Sequence, residues 1–275
     1  MALVPFPTAS PGPGGDDDRP SSRNDRDDFD AEGAKMSFLE HLDELRTRLI
    51  YSAIAVGVGC VLSFIFLDEV FNFVTLPMRQ LLPAGSALIT TEPSEYFILY
   101  LKVGVLVGFF VASPFVMWQL WLFIAPGLYV HEKRFAIPFV VLSTFFFAAG
   151  ATFSHYVAFP WTWNFFIDFT AEYVQPMLKL GPAFSLYVKM LLGFAIVFQM
   201  PTVVFFLSRM GLITARFLVR HFKYAVLVIF ILGAVLSPGG DIVSQALMAG
   251  PMLVLYGLSI GIAWAFGRRR TADEE

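Results

Sequence analysis

Six long apolar stretches, separated by short charged or proline-rich segments, constrain this chain more than any other feature. They fall at about 49–66, 96–124, 135–159, 184–207, 224–236 and 242–266. A helix needs about 20 mainly apolar residues to cross the hydrocarbon core. Five of the stretches approach or exceed that length; the fifth in order, 224–236, is short and suits a helix that does not need the full bilayer thickness. Backbone groups in lipid must pair within their own segment, so each stretch is expected to be a helix; a barrel would show short alternating segments instead. Composition agrees: 57% of the 275 residues are hydrophobic, 15% are charged, and mean hydropathy is +0.67. That surface is too apolar for a water-soluble domain of this size. The fold class expected is all-α and polytopic, with six transmembrane helices.

Lys and Arg decide the expected orientation. Lys35, Arg46, Arg48, Lys133, Arg134, Arg209, Arg216, Arg220, Lys223 and Arg268 to Arg270 lie on one side, and the opposite loops carry only Arg79 and Lys179. Both termini are therefore expected in the cytoplasm. The loops at 68–95 and 160–182 and the turn from Ser237 to Asp241 are expected outside. The first outer loop should hold a short interfacial helix near 70–82, interrupted by Pro77, Pro83 and Pro93, and the 91–95 segment reads as the cap of the second span. Trp161, Trp163 and Tyr173 suit an interface. Prolines at 114, 138, 201 and 251 should kink or loosen their spans, favouring a concave, cup-like arrangement.

Residues 1–35 lack the basic and apolar regions of a signal peptide. Rich in Pro, Gly, Asp and Ser, they read as a disordered cytoplasmic extension. Met36 opens a segment that resembles a natural start, so the extension and a misplaced start remain alternatives. The expected domains are this tail, a membrane domain over 36–267, and a cytoplasmic C-terminal tail over 268–275. The lone Cys60 excludes an intrachain disulfide and reads as a small packing residue.

The segment from Ser37 to Leu49 carries the most information. Ser37 and Glu40 fit a capping box. Phe38, Leu42, Leu45 and Leu49 recur at helical spacing and make an apolar face, with Glu40, Asp43, Glu44 and Arg48 off it. This is an amphipathic helix suited to the inner membrane surface and leading into the first span. The plain reading of Glu44 is an i,i+4 ion pair with Arg48, worth a few tenths of a kcal/mol. The first inner loop, Phe123-Ile124-Ala125-Pro126-Gly127-Leu128-Tyr129-Val130-His131-Glu132-Lys133-Arg134, sets the carboxylate of Glu132 among cations. Its plain reading is a topology determinant with a self-neutralised Glu.

Together these two segments resemble the TatC family, the C subunit of the twin-arginine (Sec-independent) protein translocase. The motif of the amphipathic helix stands as Leu42-x-Glu44-Leu45-Arg46-x-Arg48-Leu49, and the loop motif as Phe123-Ile124-Ala125-Pro126-Gly127-Leu128-Tyr129-x-x-Glu132-Lys133-Arg134. Pro77, the Met200-Pro201 break and Asp241-x-x-Ser244-Gln245 match as well, so the resemblance covers about 36–267. It implies a receptor in the inner membrane of a bacterium or archaeon. Glu44 and Glu132 would hold the two arginines of a signal peptide, with Phe123, Arg46 and Arg48 in the same binding set. Guanidinium and carboxylate pair through two-pronged hydrogen bonds. It also implies A- and B-type single-span partners, copies of itself and lipids around it, and export of folded proteins driven by the proton-motive force. No catalytic residue, cofactor, metal or nucleic-acid partner is implied, and no Walker-type phosphate loop occurs.

Gln199 stands where several family members carry Glu. An amide cannot titrate and is cheaper in lipid. It could bond a partner's polar group across helices, or a group within this chain near Pro201. Lys102 and Lys189 can snorkel to the outer headgroups. Asp241 reads as the cap of the sixth span, and His155 has no second ligand at metal spacing. A solute transporter would require a repeat or broken helix pair with buried charges, and an intramembrane enzyme a catalytic constellation; neither pattern is found.

Overall fold

A computed structural model of the chain describes residues 23–82, 87–124, 136–168, 177–237, 239 and 241–267. These form ten α-helices and one π-helical turn, and no strand beyond a single isolated bridge. In chain order they are α1 (Arg23–Ile65), α2 (Leu67–Gln80), α3 (Pro93–Ile124), α4 (Ala136–Phe153), the π turn Ser154–Ala158, α5 (Phe159–Asp168), α6 (Leu180–Val197), α7 (Gln199–Arg209), α8 (Ala215–Arg220), α9 (Phe222–Leu236) and α10 (Ile242–Phe266). Two compact units divide the chain, Met1–Arg46 and Thr47–Glu275.

Five helical stretches are long and apolar enough to cross a membrane: Glu40–Ile65, Pro93–Ile124, Ile137–Asp168, Leu180–Arg209 and Ile242–Phe266. The sixth apolar helix, Phe222–Leu236, has 15 residues. At 1.5 Å per residue it is about 22 Å long, short of a roughly 30 Å hydrocarbon core.

In the first unit, the capping box expected at Ser37 does not start a helix. The structure has helix from Arg23 onward, so it runs back through 23–35, where the sequence suggested a disordered tail; residues 1–22 lie outside the described residues. Ala31, Glu32, Ala34 and Lys35 are good helix formers, and adding turns to an existing helix costs far less than nucleating one. Leu42 and Leu45, on the predicted apolar face, are exposed.

Within the second unit, α1 meets α3 at glycines. A Cβ at Gly108 would lie 2.5 Å from Cys60 Cα and 2.6 Å from Cys60 N, so only glycine admits this approach of two backbones. Small residues serve this purpose where lipid supplies no hydrophobic drive to helix pairing. The same contact explains Cys60 as a packing residue, with its thiol directed at the Val105 carbonyl.

The short helix expected between the first two spans is α2, and it begins at Leu67, just after α1. Pro77 does not interrupt the loop as expected: it is buried inside α2 beside Val74 and Met78. Pro93 occupies the first position of α3, where a missing N–H costs nothing.

The third span departs most from expectation. Its helix passes through Pro160 and ends at Asp168, so the first part of the expected outer loop is helical. The reason lies one turn earlier. Over Ser154–Ala158 the helix widens to a π turn, and the Phe159 N–H donates to the Ser154 carbonyl. A proline in a regular helix clashes with the carbonyl four residues back; a widened turn next to it relieves the clash. Trp163 then points inward and is 8% exposed, stacked on Phe159, not displayed at an interface as the sequence suggested. Trp161 is exposed, and Tyr173 lies outside the described residues.

Pro201 has the opposite effect. It cannot donate to Val197, and the fourth span breaks there: α6 stops at Val197 and α7 starts at Gln199, with Phe198 between them. The main core joins α2, α3, α6 and α10 through Met78, Val103, Tyr187, Met190, Phe194, Met248 and Met252, all at most 1% exposed, and α9 adds Ile229. Some of the chain's 31 phenylalanines build ring clusters, such as Phe139 against Trp121 at 4.9 Å and Phe206 at 4.8 Å.

Candidate functional site

Helix direction sorts the charges of the second unit onto two ends. α6 and α7 run from Lys179 to Arg209, and α10 returns from Asp241 to the level of Ser208, whose hydroxyl donates to the Ala263 carbonyl at 3.3 Å. Arg209, Arg216, Arg220 and Lys223 gather at that end, and Lys179 lies at the other.

The lysine end is closed by hydrogen bonds. Ile89 N–H donates to the Leu178 carbonyl, and Leu180 N–H to the Ile89 carbonyl, both at 3.0 Å. Glu95, in the first turn of α3, accepts from Thr91 N–H at 2.9 Å and from Gly181 N–H at 3.1 Å. The predicted cap over 91–95 is thus present, and its carboxylate also clasps the loop before α6. Tyr100 donates to Asp68, tying α3 to α2. Asp241 caps α10 as expected, accepting from Ser244 N–H at 2.8 Å and from the Ser244 hydroxyl at 2.6 Å. The hydroxyl first, and then the backbone N–H, hold the Asp241 carboxyl below its ordinary range. His155, buried in the π turn, pairs its Nδ1 with the Tyr187 hydroxyl at 2.8 Å and stacks on Phe73 at 4.5 Å.

Gln199 has found its partner within this chain: its Nε2 donates to the Ser143 carbonyl of α4 at 2.9 Å. The intramolecular bond, one of the two readings left open by the sequence, is present. Gln245 ties α10 to α9 in the same way, donating to the Phe230 carbonyl at 2.7 Å.

The arginine end is organised around a tight turn. α7 ends in a Schellman motif: Leu212 N–H reaches the Leu207 carbonyl at 2.9 Å and Gly211 N–H the Ser208 carbonyl at 3.1 Å, with Gly211 at φ +78. Thr214 then caps α8, accepting from Phe217 N–H at 3.2 Å.

The predicted signal-peptide residues are distributed as follows. Glu44 is half-buried and Arg46 exposed, both in the first unit. Arg48 is half-buried in the second unit. Phe123, also half-buried, lies in the last turn of α3. Counting equally along both helices from the Gly59–Gly108 contact puts Arg48 level with Gln119, one turn from Phe123. Glu44, Arg48 and Phe123 each engage neighbours. Glu132 lies outside the described residues. Among the described residues no cluster of His, Cys, Asp or Glu could hold a metal.

Comparison with known proteins settles the kinship. The family described as Sec-independent protein translocase protein (TatC) matches residues 40–251. The chain belongs to the TatC family. A TatC protein of Desulforapulum autotrophicum is 41% identical over 244 residues, covering 89% of this chain and 90% of the relative. One of Koribacter versatilis is 39% identical over 87% of this chain and 91% of its own. The crystal structure of a twin arginine translocase receptor, TatC, superimposes with a TM-score of 0.71 at 37% identity, covering 81% of this chain and 97% of that one. TatC membership makes this a multi-pass membrane protein of a transport family, a component of a protein translocase and not of a catalytic class.

Sequence reasoning did not find the Glu95–Gly181 clasp or the Ile89–Lys179 bridge. These partners stand more than 80 residues apart, and no local pattern announces such pairs. Arg216 and Arg220 entered only as topology charges, although their i,i+4 spacing in a capped helix was a readable signal of a two-cation face.

Proposed function

We propose that this TatC protein is the signal-peptide receptor of a twin-arginine translocase in a bacterial or archaeal inner membrane, with both termini in the cytoplasm. The observation that carries the reading is similarity across nearly the whole membrane domain to a solved protein described as the twin arginine translocase receptor. The motif residues Glu44, Arg46, Arg48, Phe123 and Glu132 stand in this sequence at the positions the family pattern requires. Glu44 and Glu132 supply carboxylates matched to planar guanidinium groups, and Phe123 offers a ring face for the same cations. Arg46 and Arg48 belong to the same binding surface. A- and B-type single-span subunits and further copies of this chain complete the working complex, and the proton-motive force drives passage of folded cargo. Gln199 takes no charge-bearing part in that coupling, since an amide does not titrate.

The test is binding of a peptide carrying an arginine pair to the purified full-length protein. Glu132→Gln should weaken binding, and Lys in place of either peptide arginine should weaken it too, because a point charge loses the two-pronged geometry. Photocrosslinkers at 44 and 132 should label the peptide only when its arginines are present. Equal labelling of a peptide without them rejects the assignment.

A further inference from the structure

We propose that the groove between α8 and α10 is a binding site for one anionic phospholipid, its phosphate held by Arg216 and Arg220. Leu218 is buried, and the Tyr256 hydroxyl of α10 donates to its carbonyl at 2.8 Å, which fixes the face α8 turns to α10. Arg216, Val219 and Arg220 line an open trough of about 710 Å³ whose other wall is Gly257, Gly261 and Trp264. That volume lies within the range of small-molecule sites, about 300–1,000 Å³. The spacing of both sets is helical: Arg216 and Arg220 are one turn apart, and Gly257, Gly261 and Trp264 share one face of α10.

Three observations point to the occupant. First, Arg216 and Arg220 are exposed, no carboxylate lines the trough, and neither guanidinium has a polar partner among the described residues. Two adjacent forks match a phosphodiester, which accepts such bidentate bonds. Second, nothing lies within 4 Å of the Cβ positions of Gly257 and Gly261, so the floor is bare backbone on which an acyl chain can lie. Third, Trp264 is 81% exposed near the end of a membrane helix, the level at which indole rings mark headgroups. A partner helix filling the same trough would have to supply a carboxylate at the level of the two arginines. A phospholipid brings that charge at the correct depth. Basic pockets between membrane helices are suited to this recognition.

The full-length protein in detergent is titrated with dioleoyl phosphatidylglycerol or with dioleoyl phosphatidylcholine, and retained lipid is read by native mass spectrometry. Phosphatidylglycerol should be retained in preference to phosphatidylcholine. The double variant R216Q/R220Q should weaken that retention roughly 30-fold, close to the phosphatidylcholine level. R216K/R220K, a charge-conserving control for folding, should retain an amount between the unaltered protein and R216Q/R220Q, because a point charge keeps the attraction but loses the two-pronged geometry. Gly261→Leu should reduce retention of both lipids by filling the floor. Equal retention of the two lipids by the unaltered protein overturns the proposal, as does undiminished phosphatidylglycerol in R216Q/R220Q. Displacement by millimolar inorganic phosphate would reassign the arginines to a free anion. Loss of a co-purifying single-span chain in Gly261→Leu, with lipid retention unchanged, would give the trough to a helix instead. None of these readouts involves a signal peptide, so failure here leaves the receptor reading intact.

Discussion

At the lysine end of the membrane helices, polar groups are consumed by one another. The Glu95 carboxylate takes N–H groups from Thr91 and Gly181, Ile89 donates its N–H to Leu178 and accepts from Leu180, and Asp241 is doubly engaged by Ser244. At the arginine end, Arg216 and Arg220 face an open trough with no polar partner among the described residues. Both ends use the same devices of caps and tight turns, but the lysine end commits the carboxylates of Glu95 and Asp241 to backbone N–H groups, whereas the arginine end turns two adjacent guanidinium groups toward a trough. Carboxylates bonded across two loops hold helices in register; a cation pair above a bare glycine floor is shaped to receive something.

The seam both ends depend on is the α1–α3 contact. Gly108→Leu drives a side chain into the Cys60 backbone, and overpacking of this kind costs about 1–3 kcal/mol or more. The melting temperature in detergent should fall clearly, and the variant should lose peptide binding and the Glu95 clasp together. Loss at one end alone would mean the ends are independent of this seam.

Next in size is Glu132→Gln. Removing one partner of a charge-paired arginine is expected to lower affinity for a twin-arginine peptide roughly tenfold or more, with the melting temperature unchanged. An effect on stability instead would move Glu132 into the structural class that Glu95 occupies.

Glu95→Gln should act the other way. One acceptor oxygen is lost, so either Thr91 or Gly181 gives up its bond. Faster hydrogen exchange at 89–91 and 178–181 is expected, with peptide binding retained. Unchanged exchange at both segments would show that the Ile89–Lys179 bridge holds the clasp alone.

The smallest effect concerns Asp241. Its carboxyl titrates below the ordinary value of 3.8, so its contribution is complete above that value and is lost as pH falls through the lower folded-state value. Asp241→Asn should therefore melt slightly lower than the unaltered protein near neutral pH, and the gap should close in strong acid. A gap that persists there would assign the cap's role to packing.

Four of the six spans, the short fifth among them, were legible to within a few residues at both ends, and the first at its C-terminal end, because lipid demands long apolar runs and internal backbone pairing. The third was not, since a lone Pro160 reads as a stop unless one knows the helix widens before it. Asp241 was legible as a cap because its partner stands three residues away. Glu95 was half legible: its bond to Thr91 is local, but its bond to Gly181 spans 86 positions and exists only when two loops meet.

By itself the sequence determined that the chain lives in lipid, how many helices it threads there, which ends gather the cations, and, through two motifs, which family it belongs to. These follow from composition and local spacing, which act within one or two helical turns. Only tertiary structure decided that Gln199 spends its amide on Ser143, that Trp163 turns inward, that Gly108 lets α3 touch α1, and that Arg216 and Arg220 share a trough with α10. Each depends on which helices lie side by side, a property of the packed chain that no single segment encodes.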